Sequence, residues 1–149
     1  MYSMADQYSQ PLSSVEQLKI FEKKINYNFN DPALIRKALH HPYNKQLRLV
    51  GAASMRLVLS ADGFRKNESL KGIEAVLKER TGKGHLCIQG FNLGIDKFIL
   101  LDGSHRGVVE ESMMITTMQA IIGAVHVDSS TPIDSSARTM AALGLSWPE

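Results

Sequence analysis

Apolar residues recur along this chain three and four positions apart, and that spacing predicts a run of helices. A first helix from about Val15 to Ile25 would turn Leu18, Ile20, Phe21 and Ile25 inward, with Ser14 as its cap. Residues 26–31 read as a turn, with Asp31 as N-cap and Pro32 opening a short helix to about His40. Leu34, Ile35, Ala38 and Leu39 form its inner face. Pro42 breaks the chain, and a long helix follows from about Asn44 to Ala61. Its buried stripe is Leu47, Val50, Gly51, Ser54, Leu57 and Val58. A glycine inside a helix costs about 1 kcal/mol against alanine, so Gly51 predicts close approach of a second helix.

The segment 62–68 is polar and reads as a turn, followed by a helix from about Ser69 to Glu79. Residues 80–84 read as a glycine-bearing loop, and the helix after it is weakened by Gly90. Residues 95–101 are short and apolar, and 102–107 read as an exposed loop. A second core helix spans about Glu111 to Val127, and a last one runs from Pro132 to about Leu143. The expectation is an all-α domain over 15–149 behind a flexible tail, 1–14.

Composition changes this picture little. At 149 residues, 44% hydrophobic and 21% charged, the chain suits one globular domain and excludes default disorder. No apolar run reaches the roughly 18 residues of a membrane span, and no secretory or transit signal is visible. The lone Cys87 cannot form an internal disulfide, which suits a reducing compartment, so cytoplasm or nucleus is expected. Charge is uneven: residues 1–90 hold 14 Lys/Arg against 8 Asp/Glu, whereas 91–149 hold 3 against 7. A basic half can attract phosphate backbones; charges that even out on folding are the equally weighted alternative.

Two segments carry a resemblance. NKQLRLVGAASMRLVLS, over residues 44–60, resembles the signature helix of the ribonuclease III family, NERLEFLGDSVL. Asn44, Leu47, Leu49, Gly51 and Ser54 sit at or near its framework positions. TTMQAIIGAVHVD, over residues 116–128, resembles the family's DALEAVIGAIYLD. The opening, from Phe21 to Pro42, is similar to a family stretch that ends in ALTHP. The resemblance covers about residues 20 to 145 and implies the helical endonuclease-domain fold, with a two-fold dimer through the signature helix. Leu49, Val50, Ala53, Met55 and Leu57 are then the candidate dimer-interface residues; intradomain core is the alternative for each.

The acids are where the chain departs. Family enzymes cut double-stranded RNA with Mg2+ held by carboxylates, but the four acidic positions fall on Arg48, Ala52, Thr116 and Gln119. Positions 48 and 52 share one helix face, as do 116 and 119, so the two faces would converge. A guanidinium and no carboxylate at such a point predict no metal, no cofactor and no hydrolysis. Asp62, Glu68, Glu110 and Glu111 read better as caps and solvated acids than as substitutes. His40 and His41 suit a helix end, and His126 and Met113, Met114 and Met118 suit packing. Ser54 and Ser112 have no His/Asp partner at a sensible spacing, so nucleophilic catalysis has no support.

Three functions follow as expectations. The first is a non-catalytic ribonuclease III-like domain that dimerises and binds structured or double-stranded RNA through Lys45, Arg48, Arg56, Arg65, Lys66, Lys71, Lys78, Arg80 and Lys83. Arg48 either turns the old metal position into an anion site or pairs with a nearby acid. The second is a structural role, as a heterodimer partner or ribosome-associated scaffold. The third is an endoribonuclease with residual or altered activity. No room is seen for a separate double-stranded-RNA-binding domain, and no membrane partner is expected.

Overall fold

The structure, a computed structural model, describes residues 15–101 and 107–149. The expected tail, the Ser14 cap and the loop at 102–106 lie outside the described residues. Seven α-helices are present among the described residues: α1 (Val15–Ile25), α2 (Pro32–Leu39), α3 (Lys45–Arg65), α4 (Leu70–Arg80), α5 (Lys83–Asn92), α6 (Glu111–Asp128) and α7 (Pro132–Ala142). A 3-10 turn, Ile95–Phe98, follows α5. Leu100 then pairs with the end of α2, its N–H donating to Leu39 O at 2.8 Å while His41 N–H donates to Leu100 O at 3.1 Å.

Helix α6 is the axis of the fold. Ten of its 18 residues are buried, over most of its circumference, because α3, α7, α5 and α2 pack against it. Met113, Met114 and Met118 lie in this core as expected. Asn44, just before α3, is buried and ties three elements together, donating from Nδ2 to Ala38 O at 2.8 Å and to Thr117 Oγ1 at 3.2 Å. Asp31 caps α2, accepting from Ala33 N at 3.0 Å.

Four sequence expectations change. Ile20 is 56% exposed, leaving Phe21 and Ile25 as the buried face of α1. Leu57 is 54% exposed, and the inner face of α3 uses Met55 and Leu59 instead. The polar segment after Ala61 is not a turn: α3 runs on to Arg65 because Gly63 lets the Trp147 ring and Ile73 lie directly on its backbone. The helix ends instead at Asn67, which takes the left-handed conformation (φ 59°) while Glu68 N–H bonds Gly63 O and Asn67 N–H bonds Phe64 O. Finally, the loop after Arg80 shrinks to Thr81 and Gly82, since α5 starts at Lys83. Gly90 in α5 is where Met114 packs against the helix.

One carboxylate clasps the loop between α1 and α2. Asp128 accepts from Tyr27 Oη at 2.6 Å, Asn30 N at 2.7 Å and Asp31 N at 2.9 Å. Burial and the Asp128 carboxylate push the Tyr27 phenol up to about 12. A phenol with a raised folded-state pKa contributes stability that is fully present below the ordinary value of about 10 and is lost as pH rises through about 12. Ultraviolet titration should therefore show one of the four tyrosines ionising well after the others, and Asp128→Ala should return it towards the rest. Co-titration of all four in the folded protein would remove the clasp from the account.

Candidate functional site

The site is set by a backbone-to-backbone crossing of α3 and α6. A Cβ on Gly51 would overlap the Gln119 carbonyl oxygen, and one on Gly123 would overlap the Leu47 carbonyl oxygen. Only glycine fits at either point. The crossing fixes where the neighbouring residues go. Arg48 and Ala52 follow Leu47 and Gly51 on α3, while Gln119 and Thr116 run back along α6 from Gly123. All four are half-buried, and on α6 the line Ser112, Thr116 and Gln119 is the face that core packing leaves partly open. The four positions are thus arranged along one seam.

The chemistry of that seam is cationic and neutral. Arg48 has no ion pair with a described acid, so the acid-pairing alternative finds no partner among the described residues. No three His, Cys, Asp or Glu residues come together to hold a metal ion among the described residues. The donors present do not fit a hard divalent cation, which needs carboxylate oxygens. The Thr116 hydroxyl, the Gln119 amide and the Arg48 guanidinium instead offer O–H and N–H donors to an anion, while the Ala52 methyl offers none. Of the acids weighed as substitutes, Asp62 pairs with Arg65 at 3.2 Å, Glu68 lies against Gly72, and Glu110 and Glu111 stand exposed at the start of α6.

Ser54 does have a histidine partner, contrary to the sequence reading: His126 Nδ1 lies 3.2 Å from its Oγ. The pair is separated by 72 residues, so only the α3–α6 crossing reveals it. Ser54 is 3% exposed, which leaves no room for a substrate carbonyl or phosphate, and the contact is a helix-to-helix tie.

The expected basic residues do not form one patch. Lys45, Arg48 and Arg56 share one side of α3 beside the seam. Arg65 and Lys66 lie at its far end, about 30 Å from Lys45 at the rise of an α-helix, with Lys71, Lys78 and Lys83 on the elements beyond. Arg80 is committed to structure, donating from Nη1 to Gly144 O at 3.3 Å and lying 3.3 Å from His85 Nε2, so it leaves the candidate set. His85 itself, 2.9 Å from Gly144 O, gave no signal in the sequence.

The candidate interface residues divide as well. Met55 is wholly buried in the domain core and cannot face a partner. Leu49 and Leu57 are 62% and 54% exposed, Ala53 is exposed between them, and Val50 is half-buried. With Phe64, 79% exposed, they form an apolar stripe along the outer face of α3. No helix among the described residues is long and apolar enough to cross a membrane.

No protein-family model matches the chain. Ribonuclease 3 of Aliivibrio fischeri is 28% identical over 146 residues, covering 91% of this chain and 61% of that protein. Ribonuclease 3 of Colwellia psychrerythraea is 31% identical over 140 residues, covering 85% of this chain and 49% of that protein. The chain thus spans about half to three-fifths of the length of these relatives. Two solved structures of the nuclease domain of ribonuclease III from Campylobacter jejuni superpose with a TM-score of 0.75 at 20% identity; one covers 91% of this chain and all of that chain. A glycine-locked crossing of the two motif helices, inside a fold shared with solved nuclease domains and a sequence similar to ribonuclease 3 along most of its length, makes this chain a ribonuclease III-like endonuclease domain by architecture.

Proposed function

We propose that this domain is a pseudo-nuclease: it dimerises through α3 and holds structured RNA without cutting it. The observation that carries the reading is the seam itself, where Arg48, Ala52, Thr116 and Gln119 stand at the four acidic positions. Activation of water by bound metal needs a site that concentrates negative charge around the cation. Here a fixed positive charge occupies that place. A guanidinium can bind a phosphodiester through two parallel N–H donors, and it supplies no nucleophile. Lys45 and Arg56 flank it on the same helix and extend the positive edge. Homologous naming favours the rival reading, an endoribonuclease with residual or altered activity, because the relatives are ribonuclease 3 proteins.

The expected result for Arg48→Ala is a loss of duplex RNA affinity of about tenfold at low salt, with a shallower salt dependence, since one charge-assisted contact and its counterion release disappear. Affinity unchanged by that variant, measured by fluorescence anisotropy, would remove Arg48 from the interface.

The dimer rests on the α3 stripe. A similar solved structure, the Campylobacter jejuni domain, shows structural flexibility in a region involved in dimer formation. Leu49, Ala53, Leu57 and Phe64 form a self-complementary apolar face of the kind that a two-fold contact buries. Leu57→Glu should leave the fold intact, since the side chain is exposed, and convert a sedimenting dimer to monomer. A native chain that sediments as a monomer at all concentrations would instead favour the second reading, a scaffold whose α3 face takes a different protein.

A further inference from the structure

A second basic feature lies on elements the seam does not use. Helix α1 and the turn after it face α7 across an open cleft of about 570 Å3, lined by Lys19, Glu22, Lys23, Asn26, Tyr27, Asn28 and Arg138. We propose that this cleft is an anion site that takes a phosphate group.

The charges converge from two helices. Lys19 and Lys23 are one turn apart on α1, and Arg138 comes from α7. Neither lysine has an acid within ion-pair distance among the described residues. Arg138 spends one N–H on Ser135 Oγ at 3.4 Å, which leaves most of its fork available. The single acid in the lining, Glu22, is anchored to the wall by accepting from Phe29 N at 2.6 Å. Three cations against one carboxylate leave the cleft with a net charge of +2, matching a phosphate monoester dianion. The C-terminus of α1 opposes this with about half a negative charge, which is too little to reverse the sign.

Two backbone donors of the turn are already taken. Asn26 N–H and Tyr27 N–H are already bonded to Lys23 O and Glu22 O. Tyr27 Oη is committed to Asp128, so its ring serves as a wall. Recognition therefore falls to Lys19, Lys23 and Arg138, with the Asn26 and Asn28 amides beside them. A cleft of this volume lies within the roughly 300–1,000 Å3 of small-ligand sites, so a phosphate carrying a nucleoside-sized body fits it. An RNA backbone phosphate offers the same group from a different source.

The test is amide NMR of the whole chain at about 10 mM ionic strength, where screening is weakest. Inorganic phosphate, 5′-AMP and duplex RNA are the probes. Phosphate or 5′-AMP should move the resonances of residues 23–28, and a Lys23→Gln/Arg138→Gln variant should weaken this by at least about tenfold. Lys97→Gln, at an exposed cation outside the cleft lining, should leave it unchanged. Duplex RNA moving the same amides while the small probes do not would assign the cleft to backbone diesters. The proposal is overturned when no probe moves those amides, or when the double variant binds as the native chain does. Because Lys19, Lys23 and Arg138 come from α1 and α7 rather than from the two helices of the seam, loss here leaves RNA affinity through Arg48 as a separate readout.

Discussion

Gly51→Ala is expected to lower stability by about 3 kcal/mol or more, the upper range for overpacking, because no side chain can move aside. The added Cβ would meet the Gln119 carbonyl, which is main chain on the central helix. Relief requires α3 and α6 to separate along their crossing, loosening the core packed between them. Better helix propensity returns only about 1 kcal/mol. At roughly 2–4 °C per kcal/mol for a domain of this size, calorimetry should show the midpoint falling by roughly 6–12 °C. Gly123→Ala should do the same through the Leu47 carbonyl. The double variant should cost less than the sum, since both act on one seam. A midpoint within a degree or two of the native chain would mean that the helices do not cross at these glycines.

The second large effect is a gain. Restoring acids as Arg48→Glu, Ala52→Asp, Thr116→Asp and Gln119→Glu replaces one positive charge with four negative ones on facing helices. Without metal, the mutual repulsion of half-buried carboxylates should destabilise the domain. With Mn2+ at about a hundred times its dissociation constant, stabilisation of roughly 2.7 kcal/mol should follow. The native chain should show no such dependence on Mn2+. This contrast reads the geometry of the seam without requiring any RNA.

Most of the fold was legible because its cues are local. Asp31 before Pro32 marked a helix start, and Gly51 marked a close crossing whose partner, Gly123, lies in the second matching motif. Helix ends were harder. Asp62-Gly63 looked like a turn, yet Gly63 serves a contact with Trp147, 84 positions away, and the true stop is a left-handed Asn67. Exposure around α3 was also hidden, since Met55 and Leu57 are both apolar and only packing decides which one faces out. The seam was legible through resemblance alone. The Ser54–His126 tie, the Arg80–Gly144 brace and the α1–α7 cleft join residues too far apart in sequence for any spacing to reveal.

The central claim is that the seam is intact but carries the wrong residues for hydrolysis. Cleavage of a labelled RNA duplex, with Mg2+ or Mn2+, tests it most directly when the native chain and the four-acid variant are run side by side. The account predicts an inert native chain and a variant that cuts. Metal-dependent cleavage by the native chain, undiminished by Arg48→Ala, would contradict it and move catalysis to other residues.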